Sequence, residues 1–124
     1  MSDINTQEMF DAKVSAFGST ANSDNWNTAF WLALKATLAV IRVKVGETVT
    51  TPTSLEDDVD LDEDYYTPVV SAGLDFYIDG HGDWMRKPEG NLLQIWREAV
   101  KDANLYYMMS VNDSDEARLT DLTD

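Results

Sequence analysis

The residues of this chain that could take part in catalysis are few and scattered. The single histidine, His81, lies between two glycines and is flanked in sequence by Asp79 and Asp83. Catalysis by histidine normally needs a nucleophile and a carboxylate that fixes the imidazole ring. A glycine-rich turn holds such neighbours poorly, so we interpret His81 as a turn residue exposed to water.

A second candidate is the acidic segment, seven carboxylates within residues 56–64. From Asp58 onward its alternating aspartates are similar to the first half of a calcium-binding loop. The sixth position of such a loop would be Glu63, where the turn needs glycine, and the twelfth would be Val69, where a bidentate glutamate is needed. We therefore expect only weak cation attraction here. The acidic segment is either a solvated loop or a surface that meets a partner.

Other chemical motifs are missing from the sequence. It contains no phosphate-binding loop and no hydrolase or zinc-protease motif, and its lack of cysteine excludes disulfides, thiol nucleophiles and thiolate metal sites. We predict a protein that is not an enzyme and that needs no cofactor or metal. Of the four tryptophans, Trp84 lies outside the predicted helices and is expected at an interface.

The charge of the chain restricts its partners. Twenty-three acidic and nine basic residues give a formal charge of −14, which repels phosphate backbones and anionic membranes. Residues 1–7 lack the basic and apolar regions of a signal peptide, and no apolar stretch is long enough for a membrane span. We expect a cytoplasmic protein that binds neither membranes nor specific nucleic-acid sequences.

Apolar residues at spacings of three and four predict a mainly α protein, a small bundle of about four helices. Residues 1–110 form the single domain, and residues 111–124 form an acidic, extended tail. The predicted helices run from about Asp3 to Phe17, from Trp26, from Tyr65 to Ile78, and from Asn91 to about Met109.

Several positions within this pattern carry specific expectations. Ser23 and Asp24 are expected to cap the second helix, whose apolar face is widened by Leu32. Gly73, inside the third helix, predicts a close approach by another helix, and Pro68 is tolerable if it falls near the first turn.

The segment that follows the second helix has two interpretations. Its β-branched residues around Gly46, within residues 39–50, favour a short β-hairpin. Alternatively, the second helix continues to about Val43.

The order of motifs between Thr51 and Met109 resembles that of a known family. A Thr-Pro turn, the acidic segment and a helix that contains Ala72-Gly73-Leu74 are followed by Leu92-Leu-Gln-Ile-Trp-Arg-Glu-Ala-Val-Lys-Asp-Ala103. This order is similar to that of the head–tail connector (adaptor) proteins of tailed bacteriophages. The chain departs from the family pattern at Pro68, and residues 39–50 have no counterpart in it.

The resemblance implies a helical-bundle subunit of the virion that assembles, usually as twelve copies, into a ring below the portal protein. The ring would receive the tail or its stopper proteins, and DNA would pass through it without sequence-specific binding. An acidic lining suits this role because it repels the moving polyanion. The tail would gain order by packing on a neighbouring copy. The expected interface residues are Glu56, Asp57, Asp58, Asp60, Asp62, Glu63, Asp64, Trp84, Val111, Leu119 and Leu122.

Two other functions remain open at this point. The chain could be a different phage structural subunit, such as a tail-completion or minor capsid protein. It could also be an acidic regulator or nucleic-acid mimic whose acidic segment competes for a basic groove.

Overall fold

The computed structural model of the chain describes residues 2–18, 21, 25–79 and 91–114, and confirms a mainly helical bundle with four α-helices. Ser23, Asp24, His81, Asp83, Trp84, Leu119 and Leu122 lie outside these residues. In chain order the elements are β1 (Asp3–Ile4), α1 (Thr6–Phe17), α2 (Trp26–Val40), a π-helical turn (Ile41–Val45), β2 (Val59–Asp62), α3 (Glu63–Asp79) and α4 (Leu92–Ser114).

Helix α1 begins later than the sequence predicted. The Asn5 side chain accepts a hydrogen bond from the Glu8 N–H at 2.9 Å, which caps the helix, and Ile4 belongs to β1 instead. The helix ends where Gly18 adopts a positive φ of 61° and its N–H donates to the Val14 carbonyl. A capped start and a glycine end are what limit a helix to twelve residues here.

Helix α2 packs against α1 through aromatic rings. Phe10 meets Phe30 edge-on with centroids 4.9 Å apart, and Phe17 lies 5.5 Å from Trp26. The predicted face is buried, but its extension to Leu32 is wrong because that side chain is 51% exposed. The core of the bundle therefore lies on one side of α2.

The hairpin interpretation of residues 39–50 is wrong, and the alternative of a continuing helix is confirmed. The chain forms a π-helical turn in which the Gly46 N–H donates to the Ile41 carbonyl at 3.1 Å. Asn104 of α4 donates to the Lys44 and Val45 carbonyls, at 3.1 and 3.3 Å. Tertiary packing and these side-chain bonds override the β propensity of the segment.

A two-stranded antiparallel sheet is present, but its strands are β1 and β2. Asp3 pairs with Asp62 and Ile4 with Val59, with an irregularity between the two pairs. The Glu63 N–H extends the pairing by donating to the Ser2 carbonyl at 2.8 Å. Most of the acidic segment is therefore a strand that continues into a helix, not a solvated loop.

Helix α3 lies between α2 and α4. Gly73 marks the predicted close approach: a Cβ on it would lie 2.5 Å from both Thr37 Cγ2 and Thr37 Oγ1, and 2.9 Å from Trp96 Cζ3. Pro68 does not fall in the first turn, because α3 begins at Glu63. As proline has no N–H, the helix loses one bond in its second turn.

Helix α4 buries Leu92, Trp96 and Ala103 against the bundle. It runs to Ser114 and so includes Val111, where the sequence placed the start of the tail. The predicted tail therefore begins at least four residues too early.

A buried ion pair joins α1 to α3. Lys13 Nζ lies 2.8 Å from Asp75 Oδ1 and donates to Ser71 Oγ at 2.7 Å, and the two charged side chains are 6% and 12% exposed. Lys13 thus occupies the core-facing row of α1 between Met9 and Phe17.

We predict that Gly73→Ala destabilises the chain although alanine favours helix. The helix propensity gains about 1 kcal/mol, whereas overpacking against Thr37 and Trp96 costs about 1–3 kcal/mol. Because the Thr37 hydroxyl has no hydrogen-bond partner among the described residues, Thr37→Ala gives the new methyl space. Urea denaturation should show the double variant to be more stable than Gly73→Ala alone. Equal additive losses would contradict the close contact.

We predict that Asp75→Asn lowers the free energy of unfolding by about 3 kcal/mol, because it leaves the Lys13 charge buried without its counterion. Asp11→Asn is the matched control, since Asp11 accepts only an exposed bond from Gln7, and it should change stability by less than about 0.5 kcal/mol. The apolar pair Lys13→Met with Asp75→Leu should cost less than Asp75→Asn. Denaturant titration of the four chains tests this order.

Candidate interaction site

The structure shows what each carboxylate of the acidic segment contacts. Asp60 Oδ1 accepts from the Thr50 N–H at 2.8 Å, and Asp62 Oδ1 accepts from the Asp64 N–H at 3.1 Å. Asp57 Oδ2 accepts from Thr53 Oγ1 at 3.1 Å. These three carboxylates hold the loop before β2, β2 itself and the start of α3 in place.

The remaining carboxylates of the segment point to solvent. Glu56 and Asp58 are exposed, as are Glu63 and Asp64, which lie in the first turn of α3. Negative charge in the first turn is favourable because the unpaired N–H groups there carry partial positive charge. The acidic segment is held in place by Val59 and Leu61, which are 1% and 2% exposed.

Next to the acidic segment, two tyrosines and a glutamate form a concave cluster with a volume of about 250 Å³. Tyr66 Oη donates to Glu47 Oε2 at 2.8 Å. Burial, followed by this hydrogen bond and the Glu47 charge, raises the pKa of Tyr66 far above that of free tyrosine. Burial and nearby acidic groups also raise the pKa of Tyr106, whose ring stacks on Tyr65 with centroids 4.0 Å apart.

Sequence reasoning missed this cluster. Glu47 belonged to the segment read as a hairpin, and its contact with Tyr66 spans nineteen residues, so no local pattern could indicate it. The phenols are held in their neutral form, which suits hydrogen bonding. Among the residues that the structure describes, no group of three or more His, Asp or Glu side chains could hold a metal ion.

An exposed apolar face covers the C-terminal half of α4. It consists of Leu105, Met108, Met109 and Val111, which are 52%, 53%, 65% and 37% exposed. Residues 105, 108 and 109 share one side of the helix because of their spacing. Of the predicted interface residues, Val111 thus lies within an apolar surface, which is typical of a contact site when its members are contiguous.

A groove of about 300 Å³ lies at the other end of α4. Three elements form it: the end of α2 with the π-helical turn, the last part of α3 and the first half of α4. Its lining is apolar except for two cationic side chains. The lining residues are Val40, Lys44, Phe76, Tyr77, Leu93, Trp96, Arg97 and Val100.

In the described part of the chain no helix combines the length and apolarity needed to cross a membrane. No protein-family model, curated protein or solved structure matches the chain. The resemblance to head–tail connectors therefore stays a prediction.

We predict that alkaline pH destabilises the chain partly through Tyr66. Because its pKa is raised in the folded state, the folded chain keeps a proton that the unfolded chain releases above pH about 10. Stability is therefore lost as pH rises beyond that value. Tyr66→Phe should lose the Glu47 bond at neutral pH, but its stability should fall less between neutral and alkaline pH. Urea denaturation of both chains at the two pH values measures this, and equal slopes would contradict it.

Proposed function

We propose that this chain is a structural subunit of a tailed-bacteriophage particle, a head–tail connector. Copies of it form a ring below the portal protein, at the junction of head and tail. The ring gives the tail or its stopper proteins their attachment and leaves a channel for DNA. The chain carries out no catalysis in this role.

The exposed apolar face of α4 is the observation that carries the proposal. The bundle already has a complete core, with Phe30, Leu38, Ile41, Val70, Leu74 and Ile78 fully buried. Leaving Met108 and Met109 in water gains nothing for the isolated subunit. A contiguous apolar surface beside an acidic one is what a subunit needs to bind sister chains or a portal.

The resemblance supports the same function. The segment that is similar to connectors, residues 51–109, includes β2, α3 and nearly all of α4. The acidic segment suits a channel or its entrance, since exposed carboxylates repel phosphates. A nucleic-acid mimic would need these carboxylates for its partner, whereas Asp57, Asp60 and Asp62 already accept bonds from the chain itself.

We predict that the purified chain forms rings on the portal protein of the same phage. Electron microscopy and sedimentation of the mixture would show them. Met108→Asp with Met109→Asp should abolish ring formation, because it places charges in the exposed apolar face. The matched control is Leu32→Asp with Val43→Asp, two positions that are 51% and 79% exposed elsewhere on the surface, and it should assemble normally.

The outcomes separate the functions considered. A chain that neither associates with itself nor attaches to portal would overturn the proposal. Attachment at the end of tails or inside capsids would indicate another virion subunit. Recovery of a basic host protein that the acidic-segment variant Asp58→Asn with Asp64→Asn no longer binds would favour the mimic.

A further inference from the structure

The groove at the start of α4 has the chemistry of a binding site for an acidic, apolar segment. Phe76, Trp96 and Val100 provide an apolar lining, and Lys44 and Arg97 add two exposed cations. Neither cation has an ion-pair partner among the described residues. On a chain of charge −14, two neighbouring unpaired cations beside an apolar surface are a local exception that selects for a negatively charged ligand.

The chain itself contains a segment of the matching chemistry. Residues 115–124 carry four acidic residues and one arginine, and their two large apolar side chains are Leu119 and Leu122. The residues between α3 and α4 are less suitable, because 80–90 hold as many basic as acidic residues. Charge complementarity therefore favours 115–124 as the occupant of the groove.

The length of α4 decides which copy supplies this segment. At a rise of about 1.5 Å per residue, Ser114 lies roughly 27 Å along the helix from Trp96. Five extended residues span at most about 18 Å, so Leu119 cannot reach the centre of the groove on its own chain. Leu122 could just reach it, at a limit of about 29 Å. Both leucines can therefore enter only the groove of another copy.

We propose that residues 115–124 of one copy bind in the groove of the next copy, with Leu119 and Leu122 on its apolar lining and their neighbouring aspartates near Lys44 and Arg97. Such a contact joins two different surfaces, and a contact of this kind forms a ring when its rotation closes. The inference rests on the proposed function only in requiring self-assembly. It does not depend on the portal.

Binding of a synthetic peptide tests the site. The receptor is the full chain with Leu119→Asp and Leu122→Asp, whose own segment no longer competes. A labelled peptide of residues 114–124 should bind it saturably. Adding Lys44→Glu with Arg97→Glu should weaken binding at least about tenfold, a difference of about 1.4 kcal/mol. The matched control, Lys35→Glu with Lys101→Glu, makes the same charge change at exposed lysines outside the groove and should stay within about twofold.

Mixing full-length variants tests exchange between copies. The groove variant (Lys44→Glu, Arg97→Glu) and the segment variant (Leu119→Asp, Leu122→Asp) should each stay monomeric in sedimentation. An equimolar mixture should give a one-to-one dimer and nothing larger, since it holds one intact groove and one intact segment. Far-ultraviolet circular dichroism confirms that each variant is folded.

Three outcomes would overturn the inference: normal assembly of the groove variant, no dimer in the mixture, or peptide binding only after Trp84→Ala, which would show that the chain fills its own groove. If the peptide fails to bind while wild-type rings form on portal, the inference fails and the proposed function stands. If peptide binding and the mixed dimer are seen without any portal attachment, the proposed function fails and the inference stands.

Discussion

The missing side chain of Gly73 determines how the bundle is arranged. Thr37 of α2 and Trp96 of α4 both approach the backbone of α3 at this residue, closer than a Cβ would allow. Their closeness sets the spacing of three helices with a single contact. It also fixes where α4 begins relative to α2, so that the first half of α4 forms one wall of the groove. The second half then carries the exposed apolar face.

The acidic residues are compatible with folding because their charges are distributed over different local roles. Val59 and Leu61 bury one side of β2, while Asp60 and Asp62 on the other side accept hydrogen bonds from the backbone. Charges in the first turn of α3 lie near the positive end of that helix. Repulsion within the segment is thus offset by bonds that only carboxylates could accept so often. The same residues leave enough exposed charge to repel polyanions.

Much of the fold could be predicted from the sequence, since long periodic segments determine α-helices whatever their partners are. Gly73 could also be interpreted, because a glycine inside a strong helix pattern has few explanations. The π-helical turn could not, because the side chain that completes it, Asn104, lies about sixty residues further along the chain. Strand β1 has two residues and no pattern of its own.

The candidate sites were less predictable, since they combine distant segments. Lys13 did carry a signal: it lies between Met9 and Phe17 on the buried row of α1, and a buried lysine needs a buried acid. Only the packing of α1 on α3 identifies that acid as Asp75. The groove combines residues 40–44, 76–77 and 93–100, none of which is unusual alone. Val111 was placed on an interface for its position near the tail, and the structure adds the neighbours that make it part of an apolar face.

Assembly of a strongly acidic chain with itself requires local contacts that outweigh the repulsion between copies. At physiological salt the Debye length is about 8 Å, so charges farther apart than this contribute little. What matters is the charge within the contact itself. An apolar face repels nothing, and a groove with Lys44 and Arg97 attracts an acidic segment over that short range. The remaining carboxylates then keep copies apart in every other orientation, so the negative charge increases the specificity of assembly instead of preventing it.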